Sequence, residues 1–222
     1  MRFKLPKRLF PSSTPRKDPS AFYAERLEKQ QSPARAVGWV SEYTQRIRFI
    51  SLSQIADLDG ARICDAGSGL GDLYGYLTEE GLNVSYTGVD TCIEMVKAAR
   101  ERYPGVNFLH DDILTHQPEA AYDYVLASGL LSHETEAPER LLKETLGHLL
   151  EICTKGVGLN FLSGDAPRHM KNEDVFAYFA PERVFEIAKS FSPYLSIQHQ
   201  YLPNDFTLFI YQPGVESEPI QL

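Results

Sequence analysis

Three glycines, each two residues after the last, follow a short apolar run in the first third of the chain. The run Arg62–Ala66 is predicted to be a buried strand, and Gly67, Gly69 and Gly71 come directly after it. Glycine adopts positive φ angles without strain and lets a ligand approach the backbone closely. The pattern therefore predicts a tight turn from a strand into a helix, which is typical of sheets whose strands alternate with helices.

The chain after residue 60 continues this strand–helix alternation. Short apolar runs are separated by helix-like segments at 92–103 and 138–153, and Leu142, Leu146 and Leu149 form an apolar stripe along the second segment. Alternation of this kind predicts a parallel sheet with helices on both faces. Five parallel strands are predicted, at 62–66, 84–89, 106–109, 124–127 and 157–162.

The two ends of the chain depart from this alternation. Residues 194–201 and Asp205–Tyr211 are rich in aromatic and β-branched side chains and are joined by a short turn-like spacer, which predicts an antiparallel hairpin. The sheet is therefore expected to have seven strands and to be mostly parallel. Before the first strand, residues 20–59 carry apolar side chains at helical spacing and are predicted to form an N-terminal helical extension or lid.

Length and charge indicate the domain organisation and exclude some partners. A chain of 222 residues with 43% hydrophobic and 23% charged residues suits one globular domain. We predict four regions: a basic tail at 1–19, the helical extension at 20–59, an α/β ligand-binding domain at 60–212 and a short acidic tail at 213–222. The formal net charge of −8 disfavours binding to DNA or to an anionic membrane, so neither is expected as a partner.

Cysteine spacing and hydropathy indicate the compartment. The three cysteines show no CxxC spacing, so we expect reduced core thiols, and no metal site is predicted. The sequence shows neither the apolar stretch of a signal peptide nor a run long enough to span a membrane, so a cytoplasmic location is expected. Prolines interrupt the basic residues near the N-terminus, which predicts a flexible tail or, alternatively, an arm that binds phosphate or a partner.

The glycine spacing also distinguishes between ligands. Dinucleotide-binding loops read G-x-G-x-x-G, whereas here Gly71 comes one position early and Asp72 follows it. An acid in the first turn of a helix would repel a pyrophosphate, but it suits a cationic sulfonium–amino acid ligand. Asp65, two residues before Gly67, offers a second carboxylate near the same turn.

The pattern Asp65-x-Gly67-x-Gly69-x-Gly71 resembles the first motif of class I S-adenosylmethionine-dependent methyltransferases, D/E-x-G-x-G-x-G at the end of strand one. The resemblance extends over about residues 60–211 and implies a Rossmann-like fold with S-adenosyl-L-methionine as cofactor. It also implies that the glycine loop lies under the methionine part of the cofactor and that Asp65 organises its amino end. The motif identifies the superfamily and not the acceptor of the methyl group.

Acids at the ends of the next two strands match further positions of this superfamily. Asp90 ends strand two, where an acid accepts hydrogen bonds from both ribose hydroxyls and would repel a 2′-phosphate. Asp111 and Asp112 follow strand three, where an Asp meets the adenine amino group in such enzymes. Asp112, followed by the apolar Ile113, aligns better, and Asp111 is the alternative; either residue is also compatible with a capping role.

The loop after strand four is expected to border the transferred methyl group, because ligands of open α/β sheets bind outside the carboxyl ends of the strands. It lacks the N/D-P-P-Y/F/W motif of nucleic-acid amino methyltransferases. Ser128 is predicted to contact the cofactor. His133 is the candidate general base, with a packing or cofactor-edge role as the alternative.

Candidate walls of the acceptor site come from three other regions. Asn160, near the end of strand five, and Tyr178 are predicted to contact the substrate. Tyr178 belongs to the segment 163–178, whose mixed basic and aromatic residues suit an anionic or a ring-bearing substrate, or equally a solvated loop. Tyr23 and Trp39 in the helical extension are candidate lid residues, or else packing residues, and Tyr23 is also predicted to contact the substrate.

The function expected from these features is methyl transfer to a small molecule by direct in-line displacement, which depends on positioning more than on a protein base. One alternative is a protein or RNA methyltransferase that uses the basic tail for docking. A second alternative is a catalytically inactive protein that binds S-adenosylmethionine, because a fold does not prove activity.

Overall fold

The computed structural model describes residues 19–29, 32–133, 135–173 and 175–214. The predicted tails at 1–19 and 213–222 therefore lie outside the described residues, except for Pro19, Pro213 and Gly214. In the part of the chain that the structure describes, no helix combines the length and the apolar character needed to cross a membrane.

The described residues form seven α-helices and seven strands, with a short 3-10 turn at Arg168–Met170. The N-terminal helices are α1 (Ser20–Lys29), α2 (Pro33–Ala36) and α3 (Glu42–Ser53). They are followed by β1 (Arg62–Ala66), α4 (Asp72–Glu79), β2 (Ser85–Asp90), α5 (Ile93–Arg102), β3 (Asn107–His110), β4 (Tyr122–Ser128), α6 (Pro138–Glu151), β5 (Cys153–Leu162), α7 (Pro181–Lys189), β6 (Leu195–Leu202) and β7 (Asp205–Tyr211).

All seven strands belong to one sheet in the order β3-β2-β1-β4-β5-β7-β6. Neighbouring strands among β1 to β5 pair in parallel, whereas β7 is antiparallel to both β5 and β6. This confirms the predicted seven-stranded, mostly parallel sheet with a C-terminal antiparallel hairpin. The parallel strands end at the same edge of the sheet, so the loops that follow β1, β2, β3 and β4 converge there.

Helices cover both faces of the sheet because alternate strand residues point to opposite sides. On one face, Cys64 of β1 belongs to a core with residues of α6 and α7. On the other face, Ile63 packs with residues of α3 and α4, and Phe108 of β3 packs with residues of α5. Burial on both faces explains why the parallel strands appear in the sequence as continuous apolar runs.

The N-terminal extension consists of three short helices. Ser32 caps α2, and Pro33 occupies its first turn. A second break at Gly38, which has a φ of 94°, is not predicted from the apolar periodicity. Ser41 then caps α3 by accepting a hydrogen bond from the Thr44 N–H. The second break brings Trp39 out of helical geometry and towards the edge of the sheet where the strands end.

Candidate cofactor-binding and active site

The turn between β1 and α4 is held by hydrogen bonds to the end of β2. The N–H groups of Gly67 and Ser68 donate to the Val89 carbonyl at 2.8 and 3.2 Å. Gly67, Gly69 and Gly71 all have positive φ, between 51° and 76°. Such angles strain other residues, so the three glycines allow the backbone to turn tightly here.

Gly71 has a packing role that differs from the predicted contact with the cofactor. A Cβ at this position would lie 2.7 Å from Cζ of Phe108, and Gly71 caps the start of α4. Gly67 and Gly69 line the cavity described below, but the described lining residues do not include Gly71. The third glycine of the motif therefore allows the helix to pack closely against β3.

Asp90, the last residue of β2, fastens the glycine loop. Its Oδ2 accepts a hydrogen bond from the Gly69 N–H at 2.8 Å, and its Oδ1 accepts one from the Cys92 N–H at 2.8 Å. Each carboxylate oxygen can accept a second hydrogen bond, so Asp90 can also bind a ligand hydroxyl. Burial raises the pKa of Asp90 above its usual range, and the two N–H groups partly counteract this.

Asp65, near the end of β1, is only 3% exposed and accepts a hydrogen bond from the Tyr86 hydroxyl. Burial raises the pKa of Asp65 to about 7; the Tyr86 hydroxyl lowers it, and the negative charges of Asp90 and Asp72 raise it further. A cationic ligand group beside Asp65 would favour the ionised carboxylate.

Asp72, the first residue of α4, also faces this region. Its carboxylate pairs with Arg102 and accepts a hydrogen bond from Gln45 Nε2 at 2.9 Å. Part of its negative charge is therefore compensated within the protein, which the sequence pattern does not reveal.

A cavity of about 850 Å³, counting its open mouth, lies at the carboxyl ends of the parallel strands. Eight of the site residues predicted from the sequence line it: Tyr23, Asp65, Gly67, Gly69, Asp90, Asp111, Ser128 and His133. Further lining residues include Val37, Trp39, Gln45, Phe49, Ser68, Asp72, Thr91, Met95, Ile113, Gly129 and Leu130.

The loop after β3 presents Asp111 to the cavity, whereas Asp112 is absent from the described lining residues. Oδ2 of Asp111 lies 2.8 Å from Nδ1 of His116. The Asp112 carboxylate accepts a hydrogen bond from the Leu114 N–H at 3.0 Å, and the Asp112 backbone carbonyl accepts hydrogen bonds from the N–H groups of Thr115 and His116. This placement favours Asp111 over Asp112, the residue that aligned better in the sequence, because Asp112 starts the following turn and Asp111 lines the cavity.

Three buried polar atoms at the cavity have no hydrogen-bond partner among the described residues: Ser68 Oγ, Ser128 Oγ and His133 Nε2. Leaving such atoms unpaired costs about 1–3 kcal/mol each, so they are expected to bind a ligand or water. Ser68 was not selected from the sequence, although it lies inside the glycine motif.

His133 lies among aromatic rings. Its ring is 5.0 Å from Phe22 and 5.2 Å from Tyr23, both edge-on, and 5.9 Å from Phe176, measured between ring centroids. Burial lowers the pKa of His133, which favours the neutral imidazole. Burial also raises the pKa of Tyr23 to about 12, so its hydroxyl stays protonated.

Asn160 and Tyr178, the other two predicted substrate contacts, lie outside the described cavity lining. Asn160 is buried between β5 and β7, where its Nδ2 lies 2.7 Å from Thr207 Oγ1. The Tyr178 hydroxyl accepts the Asn172 N–H at 2.9 Å and so stabilises its own segment. This placement does not support either residue as a substrate contact: Asn160 is bonded to its cross-strand partner Thr207, which also contacts Ser51 of α3.

A family model described as "Methyltransferase domain" matches residues 63–151, from β1 to the end of α6. The matched region contains the glycine loop, Asp90, Asp111 and the loop after β4. Over this region the chain is similar to the class I S-adenosylmethionine-dependent methyltransferases. The methyl donor of this superfamily is S-adenosylmethionine.

Individual methyltransferases also resemble this one. A putative methyltransferase of Mycobacterium tuberculosis is 28% identical over 157 residues, which cover 68% of this chain and 93% of that protein. A trans-aconitate 2-methyltransferase of an Azoarcus species is 31% identical over 118 residues, which cover 51% of this chain and 46% of that enzyme. The solved structure of magnesium protoporphyrin IX methyltransferase from Synechocystis, with bound S-adenosylmethionine, has a TM-score of 0.61 at 18% identity, covers 90% of this chain and 100% of that one, and shows the shared fold.

Proposed function

We propose that this methyltransferase transfers a methyl group from S-adenosylmethionine to a small molecule bound beside the loop after β4. The observation that supports this proposal is the composition of one cavity. Its lining carries Gly67 and Gly69 of the glycine loop together with Asp90 and Asp111, and it also carries His133 and Tyr23. Donor and acceptor bound in one cavity react as an effectively unimolecular pair, which favours direct transfer. Two of the similar proteins, trans-aconitate 2-methyltransferase and magnesium protoporphyrin IX methyltransferase, are named for small-molecule acceptors.

The donor side of the cavity matches the chemistry of S-adenosylmethionine. Asp65 would hold the amino group of the methionine part, and Gly67 and Gly69 would allow that part to approach the backbone. Asp90 would accept hydrogen bonds from the ribose hydroxyls, and Asp111 would accept one from the adenine amino group. The unpaired hydroxyls of Ser68 and Ser128 fit a polar ligand in this position.

Several of the chain's own residues would act on the acceptor. When bound, S-adenosylmethionine supplies a methyl group that is already activated by its positive sulfur. His133 would accept a hydrogen bond, and then a proton, from the acceptor. Tyr23 of α1 and Trp39 would cover the cavity, so we assign residues 20–59 as a lid on the domain at 60–212. Covering the site excludes water from the transfer.

Binding of S-adenosylhomocysteine, the demethylated product, tests the donor assignment without knowledge of the acceptor. Trp39 is the single tryptophan of the sequence and lines the cavity, so its emission is expected to change on binding. Calorimetry then gives the affinity. Asp90→Ala is expected to weaken binding about 10- to 100-fold, because it removes hydrogen bonds to a charged acceptor and loosens Gly69.

Asp165→Ala is the matched control for this experiment. Asp165 is exposed and lies outside the described cavity lining, so its replacement is expected to leave the affinity unchanged. Wild-type affinity in the Asp90→Ala variant would contradict the ribose assignment. If the wild-type protein shows no binding of S-adenosylhomocysteine at all, the proposed function is wrong.

A further inference from the structure

The acceptor end of the cavity is built from aromatic rings around one unpaired nitrogen. Nε2 of His133 is buried and has no hydrogen-bond partner among the described residues. Tyr23 packs edge-on against the imidazole, with ring centroids 5.2 Å apart. Trp39 forms another part of the wall, and its ring lies 3.0 Å from the position that a Cβ on Gly129 would occupy. Flat walls of this kind favour a flat ring, and the unpaired nitrogen favours a hydrogen-bonding group on it.

The charged side chains that line the cavity are acidic, and one of them, Asp72, is paired with Arg102. Asp65, Asp72, Asp90 and Asp111 all line the cavity. No lysine or arginine occurs among the lining residues that the structure describes. Carboxylates that share a partly buried space repel an anionic ligand, and the low dielectric of the site strengthens this repulsion.

The positive side chain that contacts the cavity wall at Trp39 is engaged elsewhere. The Arg48 guanidinium stacks on the Trp39 ring at 4.1 Å, but its Nε donates to Asp205 Oδ2 at 2.7 Å, and these side chains are 3% and 1% exposed. In the segment 163–178, Lys171 Nζ donates to the Gly164 carbonyl at 2.7 Å. The described residues of this segment are absent from the cavity lining, so its basic side chains supply no positive charge to the walls that the structure describes.

We propose that the methyl acceptor is an uncharged aromatic molecule whose ring lies against Tyr23 and Trp39 and whose hydroxyl or N–H group donates a hydrogen bond to Nε2 of His133. This inference rests on the proposed function and adds the chemical class of the substrate. In the reaction, the acceptor lone pair bonds to the methyl carbon while the carbon–sulfur pair stays on sulfur. The acceptor proton passes to His133 Nε2, so the positive charge of the donor ends on the imidazolium.

Two matched compounds test the charge preference. 4-Hydroxybenzamide and 4-hydroxybenzoate share the ring and the hydroxyl group. They differ in the second substituent, which is a neutral amide in the first compound and a negatively charged carboxylate in the second. Binding to the protein saturated with S-adenosylhomocysteine is measured by quenching of Trp39 emission and by saturation-transfer NMR, which detects weak binding without enzymatic turnover. We expect 4-hydroxybenzamide to bind at least tenfold more tightly than 4-hydroxybenzoate.

Variants of His133 test the hydrogen bond. His133→Leu is expected to weaken binding of 4-hydroxybenzamide about fivefold, as loss of one hydrogen bond predicts, with the affinity for S-adenosylhomocysteine retained. His133→Gln keeps polar atoms at this position and is expected to retain more of the binding. His169→Leu replaces an exposed histidine of the 3-10 turn and serves as the control.

The outcomes separate this inference from the proposed function. If S-adenosylhomocysteine binds but 4-hydroxybenzoate binds as tightly as the amide or more tightly, the acceptor class is wrong and the methyltransferase assignment stands. Failure of both compounds to bind, or an unchanged affinity of His133→Leu for the amide, also overturns the inference. If S-adenosylhomocysteine itself does not bind, the proposed function fails, and the acceptor class fails with it.

Discussion

In the empty cavity Asp65 is protonated below neutral pH, because burial raises its pKa to about 7. The proposed ligand places an ammonium group beside this side chain and requires the carboxylate. Binding below pH 7 must therefore release a proton, and the affinity for S-adenosylhomocysteine is expected to decrease as the pH falls. A carboxyl with a pKa of about 7 is roughly 3% ionised at pH 5.5 and roughly 76% ionised at pH 7.5. The affinity is therefore expected to differ about 25-fold between these values, or about 1.9 kcal/mol.

Isothermal calorimetry measures both parts of this prediction. Titrations at pH 5.5 and 7.5 give the affinity ratio, and titrations at pH 6 in two buffers of different ionisation enthalpy give the number of protons released, which is expected to be about 0.9. Asp65→Asn cannot release this proton and is expected to bind weakly with little dependence on pH. Tyr86→Phe removes the hydroxyl that lowers the pKa of Asp65, so the pH dependence is expected to shift to higher pH.

The stability of the empty protein provides a second measurement with a defined sign. A carboxyl whose pKa is raised in the folded state binds more protons there than in the unfolded chain, so the free energy of unfolding decreases as the pH rises from about 4 to about 7. Urea titrations are expected to show this decrease in the wild type and a smaller one in Asp65→Asn. A wild-type affinity that is independent of pH, or an equal pH dependence in Asp65→Asn, would refute the reasoning.

Three further predictions concern stability and the thiols. Gly71→Ala is expected to destabilise the fold by about 2 kcal/mol, because φ is 74° and the new Cβ meets an aromatic ring. Gly81→Ala is the control: its φ is 79°, but a Cβ there meets no atom, so the loss of stability is expected to be smaller. Thermal unfolding measures both variants. Arg48→Met removes the ion-pair partner of the buried Asp205 and is expected to lower the free energy of unfolding by about 3–5 kcal/mol. Urea denaturation measures this loss, and an unchanged free energy of unfolding would contradict the prediction. Cys64, Cys92 and Cys153 are buried, and burial raises the pKa of each thiol. A thiol reagent is therefore expected to react with them only at the rate of unfolding. Immediate labelling of any of the three would contradict this prediction.

The strongly patterned elements were predictable from the sequence because their signals are local. Arg62–Ala66 and Asp205–Tyr211 form strands with the predicted bounds. By contrast, β5 begins at Cys153 rather than 157, within a stretch that was predicted to end a helix. Pairing of Cys153 with Tyr122 and of Gly156 with Tyr211 extends this strand, and neither partner is a sequence neighbour.

The candidate site was predictable where one residue type at one spacing has a single physical use. The glycines of the turn and Asp90 belong to this class, because positive φ angles and an acid at a strand end are visible in the sequence. The choice between Asp111 and Asp112 was not predictable, because the two acids are adjacent in the sequence and only the backbone conformation decides which of them faces the cavity. A tertiary contact also bonds the Asn160 side chain to Thr207 of β7, and the position of Asn160 near a strand end does not reveal this partner.

The glycine turn and the alternating strands were thus determined by the sequence alone, because backbone sterics and the alternation of apolar residues act over a few positions. They are sufficient to predict the sheet and the cofactor. Only the tertiary structure decided how charge is distributed at the edge where the parallel strands end. Arg102 compensates Asp72, Asp205 engages Arg48 beside Trp39, and the ring of Tyr23 packs against His133. Those pairings join residues far apart in the chain, and long-range packing determines which charges are buried together.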